Sequence, residues 1–243
     1  VITEHVPTDW RDLQRAVGDV LEECGFLVKV EHVLQTVRGA TEVDVYAEEV
    51  IRGRKSIVLC ECKHWKARVP QNVVHGFRTT MADTGANIGY IVGSSGFQAG
   101  AFAAVESTNV KLLTWTEFQA EFEHQWIDAH FVPQVGKRFD EFLRWTEPLP
   151  PTAGRPLTSS EAQQFWELWR SFQPLVALLM PFAPWMRLMG HDLEYPSLPL
   201  RGDKFAVLPK DVLQARGYRE LFDRVDVHAR AAVAALKAAA YAG

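Results

Sequence analysis

Ile57-Val58-Leu59-Cys60-Glu61-Cys62-Lys63 runs apolar and then ends in an acid and a base two positions apart. No other stretch limits the folds open to the chain as much. In a strand, alternate side chains point to opposite faces, so Glu61 and Lys63 share one face while Cys60 and Cys62 take the other. The run therefore reads as a buried strand with a charged end. A carboxylate and an ammonium are costly to bury unless they are paired or hold a metal, so chemistry is to be sought first at this end. A plain salt bridge explains the same pattern, and these residues alone leave both readings open.

The flanking elements indicate the class of fold. Asp9 is placed to cap a helix from Trp10, with Leu13, Ala16, Val17, Val20 and Leu21 at helical spacing before Gly25. An extended segment, Phe26 to Leu34, precedes a turn at Gly39. A short strand, Val43 to Ala47, follows and carries Asp44 and Tyr46 on one face. The turn at Arg52, Gly53 and Arg54 makes this strand a hairpin neighbour of the 57–63 run, which brings Asp44 close to Glu61. After Lys63 come His64, Trp65, Lys66 and Arg68, a small basic and aromatic cluster. Pro70 opens a helix to about Ala82 that contains Gln71, Val74, Phe77, Arg78 and Met81. Then follow a strand at Ile88–Val92, a helix at Phe97–Glu106, a strand at Val110–Leu113 and a helix from Trp115. This order predicts an α/β fold, a mixed central sheet with helices on its faces.

Pro148, Pro150, Pro151, Gly154 and Pro156 punctuate a linker at 148–158. It divides a domain at 1–147 from a mostly helical accessory or interaction region at 159–243. The longest apolar stretch, Phe172 to Gly190, is interrupted by Gln173, Pro174, Pro181, Pro184 and Arg187, so it reads as buried helix pieces rather than a membrane span. The formal net charge of -4 provides no global positive field, and any contact with nucleic acid must rest on a local patch. Cys24, Cys60 and Cys62 lie in apolar surroundings without zinc-ligand spacing. The chain begins at Val1 and shows no signal-peptide pattern, which gives a cytoplasmic expectation with no membrane attachment.

Two carboxylates at adjacent strand ends, Asp44 and Glu61, are suited to a hard divalent ion such as Mg2+, with Mn2+ as a substitute and the carbonyl of Cys62 as a further ligand. Lys63 shares their face and can orient a water or offset charge on a phosphate.

These residues, in this order of elements, resemble the PD-(D/E)xK nuclease superfamily and within it the Mrr-like restriction endonucleases. The resemblance runs from about Trp10 to Phe118. It rests on the opening helix closed by Gly25-Phe26, on Glu42-Val43-Asp44-Val45-Tyr46-Ala47, and on Val58 to Trp65. It also takes in Gly89 to Phe97 and the alanines at 99, 101, 103 and 104. What the resemblance implies is a restriction-endonuclease-like domain that hydrolyses DNA phosphodiesters with a divalent metal, in a restriction or anti-phage setting. Asp44 and Glu61 would be its metal ligands, and Lys63 would stand beside the attacking water. Many Mrr-like proteins carry glutamine at the Glu61 position. They often carry a glutamate in the first helix, where this chain has Gln14. Gln14, Glu42 and Gln71 are candidate accessory residues, and His64, Trp65, Lys66, Arg68 and Arg78 are candidate nucleic-acid contacts. Each of these also reads as an ordinary solvated or packed residue. RNA stays open as a substrate, and the C-terminal region is a candidate surface for a homodimer or a protein partner. The alternative function is a nucleic-acid-binding or assembly module on a nuclease fold, its catalysis lost or activated by a partner.

Overall fold

The structure, a computed structural model, describes residues 1–148, 158–183, 185–186, 189 and 194–241. Apart from its two end residues, the linker expected at 148–158 lies outside these residues, as do Pro184, Arg187 and Gly190. The chain divides into two compact units, His5–His130, and Val1–Glu4 with Phe131–Gly243.

The first unit opens with α1 (Trp10–Glu23), where Asp9 Oδ1 accepts the Asp12 N–H at 2.8 Å. That bond satisfies one of the donors left unpaired in a first helical turn. Three strands follow, β1 (Leu27–Thr36), β2 (Gly39–Ile51) and β3 (Arg54–Lys63), with antiparallel pairing of β1 to β2 and β2 to β3. β2 is much longer than its apolar Val43–Ala47 segment predicts. Lys55 of β3 pairs across to Glu48 of β2, whose carboxylate also accepts from Tyr46 Oη two residues back on the same strand at 2.6 Å.

Two helical crossovers then add parallel strands. α2 (Gln71–Thr84) ends at Gly85, whose φ of 66° is the left-handed conformation that glycine adopts most cheaply. β4 (Ile88–Gly93) runs parallel to β3, with Glu61 opposite Ile91 and Lys63 opposite Gly93. After α3 (Ala99–Val105), β5 (Val110–Leu113) pairs parallel to β4, and α4 (Trp115–Trp126) begins with a capping box between Thr114 and Glu117. The sheet order is β1-β2-β3-β4-β5, which leaves β3 in the middle. On one face Leu59 and Ile91 join Val74, Phe77 and Met81 of α2 in the core. On the other, α1 and α4 cover the sheet, and the rings of Phe118 and Phe122 lie 5.8 and 5.4 Å from Tyr90. Coverage on both faces is what an apolar run such as 57–60 requires, and it forces the charged end of β3 to the rim.

The second unit is mostly helical, as the sequence predicts. It contains α5 (Val132–Arg138), α6 (Asp140–Trp145), α7 (Ser159–Leu179), α8 (Lys210–Leu213) and α9 (Tyr218–Tyr241). Phe131 meets Phe182 and Phe222 edge-on at 4.8 and 5.0 Å. Arg138 bonds Asp223 and the buried Asp226, each at 2.9 Å, with its guanidinium 4.6 Å from the centre of the Phe222 ring. Among the described residues no helix is long and apolar enough to cross a membrane.

Candidate active site

The site forms where ladders end. Pairing between β2 and β3 stops at Val45–Cys60, one residue short of Asp44 and Glu61. Beyond that point Asp44 Oδ2 accepts the Cys62 N–H at 2.7 Å. The β1–β2 ladder is interrupted at the same level: Val30 pairs with Val45 and His32 with Val43, but Glu31 between them is skipped and has a φ of 51°. A non-glycine residue held at positive φ costs energy. The residue facing the break is Asp44.

From α1, the buried Gln14 reaches Asp44 and donates from Nε2 to Oδ1 at 2.8 Å. Both oxygens of Asp44 are thus engaged by protein donors. Lys63 Nζ contacts Glu61 Oε1 and stands 4.0 Å from Asp44 Oδ2, so one ammonium is shared by two carboxylates. All three side chains are largely withdrawn from water, at 18% to 23% exposure. Burial pushes the Glu61 carboxyl above its ordinary range and the Asp44 charge adds to the effect, while Lys63 pulls the other way.

Asp44, Glu61 and Lys63 therefore converge. Gln14 joins them through Asp44, and Cys62 through its main chain. Within a strand, a residue's N–H and C=O leave on the same side, so the Cys62 carbonyl points to the side where Asp44 sits. Its thiol is buried and pushed well up by desolvation, which makes it a packing group. Among the described residues, no group of three or more His, Cys, Asp or Glu side chains is placed to hold a metal. The donor set is two carboxylates and a carbonyl. These are hard oxygen donors, the kind that a divalent ion of the Mg2+ or Mn2+ type takes, and they lie beside the Lys63 ammonium.

The accessory residues disperse. Glu42 is exposed on β2. Gln71 is exposed in the first turn of α2 and packs on α3, its Oε1 being 3.0 Å from where a Cβ on Gly100 would stand. Arg78 Nη1 donates to the Ala104 carbonyl at 3.0 Å, tying α2 to α3. His64 Nε2 lies 3.1 Å from the Pro7 carbonyl oxygen. Lys66 and Arg68 are exposed on the loop after β3. Trp65 is 42% exposed, with Lys63 Nζ 5.6 Å from its ring centroid. Ser94 and Ser95 donate their hydroxyls to the Trp65 carbonyl, at 2.9 and 2.5 Å, rather than lying free for a phosphate. The break at Glu31 is invisible in the sequence, because nothing about a glutamate within an alternating strand marks positive φ.

A five-stranded mixed sheet of this order, with an Asp, a Glu and a Lys gathered at the end of its middle strand, defines the restriction-endonuclease-like class related to the PD-(D/E)xK nucleases. Residues 7–121 match the family of Mrr catalytic domains, described as restriction endonuclease. A crystal structure described as a protein of unknown function, AF1548, is similar at 14% identity with a TM-score of 0.40, over 97% of this chain and 100% of the other. No curated protein matches the chain.

Proposed function

We propose that residues 5–130 form a DNA-binding module on a nuclease fold, in which hydrolysis of the phosphodiester is held back until a partner or a second copy of the chain engages. The observation that carries this reading is that the site is satisfied internally. Asp44 is bonded by Gln14 and by the Cys62 N–H, and Lys63 is shared between Asp44 and Glu61.

Asp44, Glu61 and the Cys62 carbonyl would hold a divalent ion, which when bound supplies a water of lowered pKa and neutralises charge on the phosphate. Gln14 and the Cys62 N–H fix the direction of the Asp44 carboxylate. Glu61, which holds its proton above the ordinary range, must ionise fully to serve as a ligand. Lys63 must release Glu61 before its ammonium can orient a water or face a phosphate oxygen. Lys66 and Arg68 supply a local positive patch that the net charge of -4 does not.

A second reading is favoured by the retention of Asp44, Glu61 and Lys63 together. It is a metal-dependent endonuclease that cuts DNA unaided, in restriction or anti-phage defence. Supercoiled plasmid incubated with the chain and Mg2+, Mn2+ or EDTA, beside Lys63→Ala, separates the two. Binding with no cleavage by the chain alone supports the held-back module. Rapid metal-dependent cleavage that Lys63→Ala abolishes supports the free-standing enzyme. RNA and single-stranded DNA in the same series report the preferred polymer.

A further inference from the structure

We infer that Trp65 is a stacking platform for an unpaired base, and that the module therefore engages DNA that is single-stranded or locally opened beside the charged end of β3. The inference rests on the nucleic-acid reading above and names the substrate class of that same site.

Three observations carry it. First, Trp65 is a large apolar side chain left 42% exposed, and among the described residues no other aromatic ring stacks on it. Other tryptophans are as exposed, Trp10 at 43% among them. What distinguishes Trp65 is its place beside the candidate catalytic lysine.

Second, the platform is held rigid. The Trp65 carbonyl accepts from both Ser94 and Ser95, and the Ser94 N–H bonds the Lys63 carbonyl at 3.0 Å. A few residues on, the Val69 N–H bonds the Gly96 carbonyl at 2.9 Å, and the Gln98 N–H bonds Val69 at 3.0 Å. The loop from β3 to α2 is thus sewn to the turn from β4 to α3. An exposed indole on a fixed backbone loses little freedom when a base settles on it.

Third, Lys63 and the indole are close neighbours, with Lys63 Nζ 5.6 Å from the ring centroid. A phosphate drawn to Lys63 places its own or the adjacent base within reach of the ring. Inside a duplex both faces of each base are covered by its neighbours, so away from the ends the indole gains a partner only where a base is unstacked.

The test is fluorescence anisotropy in EDTA, where no cleavage can occur, with labelled oligothymidylate and a labelled blunt duplex. The proteins are the full chain and its Trp65→Ala, Trp65→Phe and Lys66→Ala variants. Expected for Trp65→Ala is about tenfold weaker binding to the single strand with duplex binding changed less than about twofold, the scale of one lost base–aromatic contact. Trp65→Phe should recover most of the loss, and Lys66→Ala should weaken both ligands alike. Equal loss on both ligands in Trp65→Ala, or no loss on the single strand, overturns the inference and leaves the DNA-binding reading standing. If the unaltered chain binds neither ligand, both fall.

Discussion

At the scale of single residues, the site is a small set of charges that partly neutralise one another. Glu61 is held above its ordinary pKa by burial and by Asp44, so the folded chain keeps this proton to a higher pH than the unfolded chain does. Stability from this group is therefore present below the ordinary glutamate range and is lost as pH rises through the folded value. Glu61→Gln is expected to raise the melting temperature by a few degrees at pH 7 to 8, and the gain should shrink toward pH 4. Thermal unfolding at several pH values checks it, and an unchanged gain at low pH would refute the assignment. Gln14 donates to Asp44 and would fix the carboxylate of a proposed metal ligand. Gln14→Ala should weaken divalent-ion affinity by about 10- to 100-fold, measured by calorimetry. Asp44, Glu61 and Lys63 were legible because period-two alternation and one hairpin suffice to place them together. The Gln14 hydrogen bond, the Glu31 break and the commitment of Ser94 and Ser95 to Trp65 were not, since each depends on long-range packing that local pattern does not encode.

At the scale of elements, β3 holds its position because α2 and α3 press on one face while α1 and α4 press on the other. α2 sits tightly on β4 at Gly89, where an added Cβ would lie 2.6 Å from the Phe77 ring and 2.8 Å from Met81 Sδ. Gly89→Ala must therefore push α2 off β4 and should cost about 1–3 kcal/mol in chemical denaturation. Smaller loss would mean that α2 is less tightly seated than the structure places it. The order of helices and strands in the first unit could be read from periodicity and turn residues. The full length of β2 could not, because its outer residues are exposed and are held by pairing with β1 and β3 rather than by burial. The π-helical turn at Ile127–Phe131 follows α4 without a break, and Pro133, which cannot donate a helical N–H, stands just beyond it.

At the scale of the whole molecule, a chain of net charge -4 approaches a polyanion through a confined patch. Arg68→Ala should weaken duplex binding and lower the slope of log affinity against log salt by about 0.9, the value for one lost phosphate contact. An unchanged slope would remove Arg68 from the interface. The mostly helical character of residues 159–243 was legible in the sequence, but the role of the region was not. Within the second unit Arg138 is committed to Asp223 and the buried Asp226, a packing role.

The most direct test is a Mn2+ titration, by calorimetry, of the chain and its Asp44→Asn and Glu61→Gln variants. The account predicts one ion per chain, bound more tightly as pH rises and Glu61 gives up its proton, and lost in either variant. No binding, or binding that survives both substitutions, would contradict the assignment of this strand end as a nuclease-type metal site.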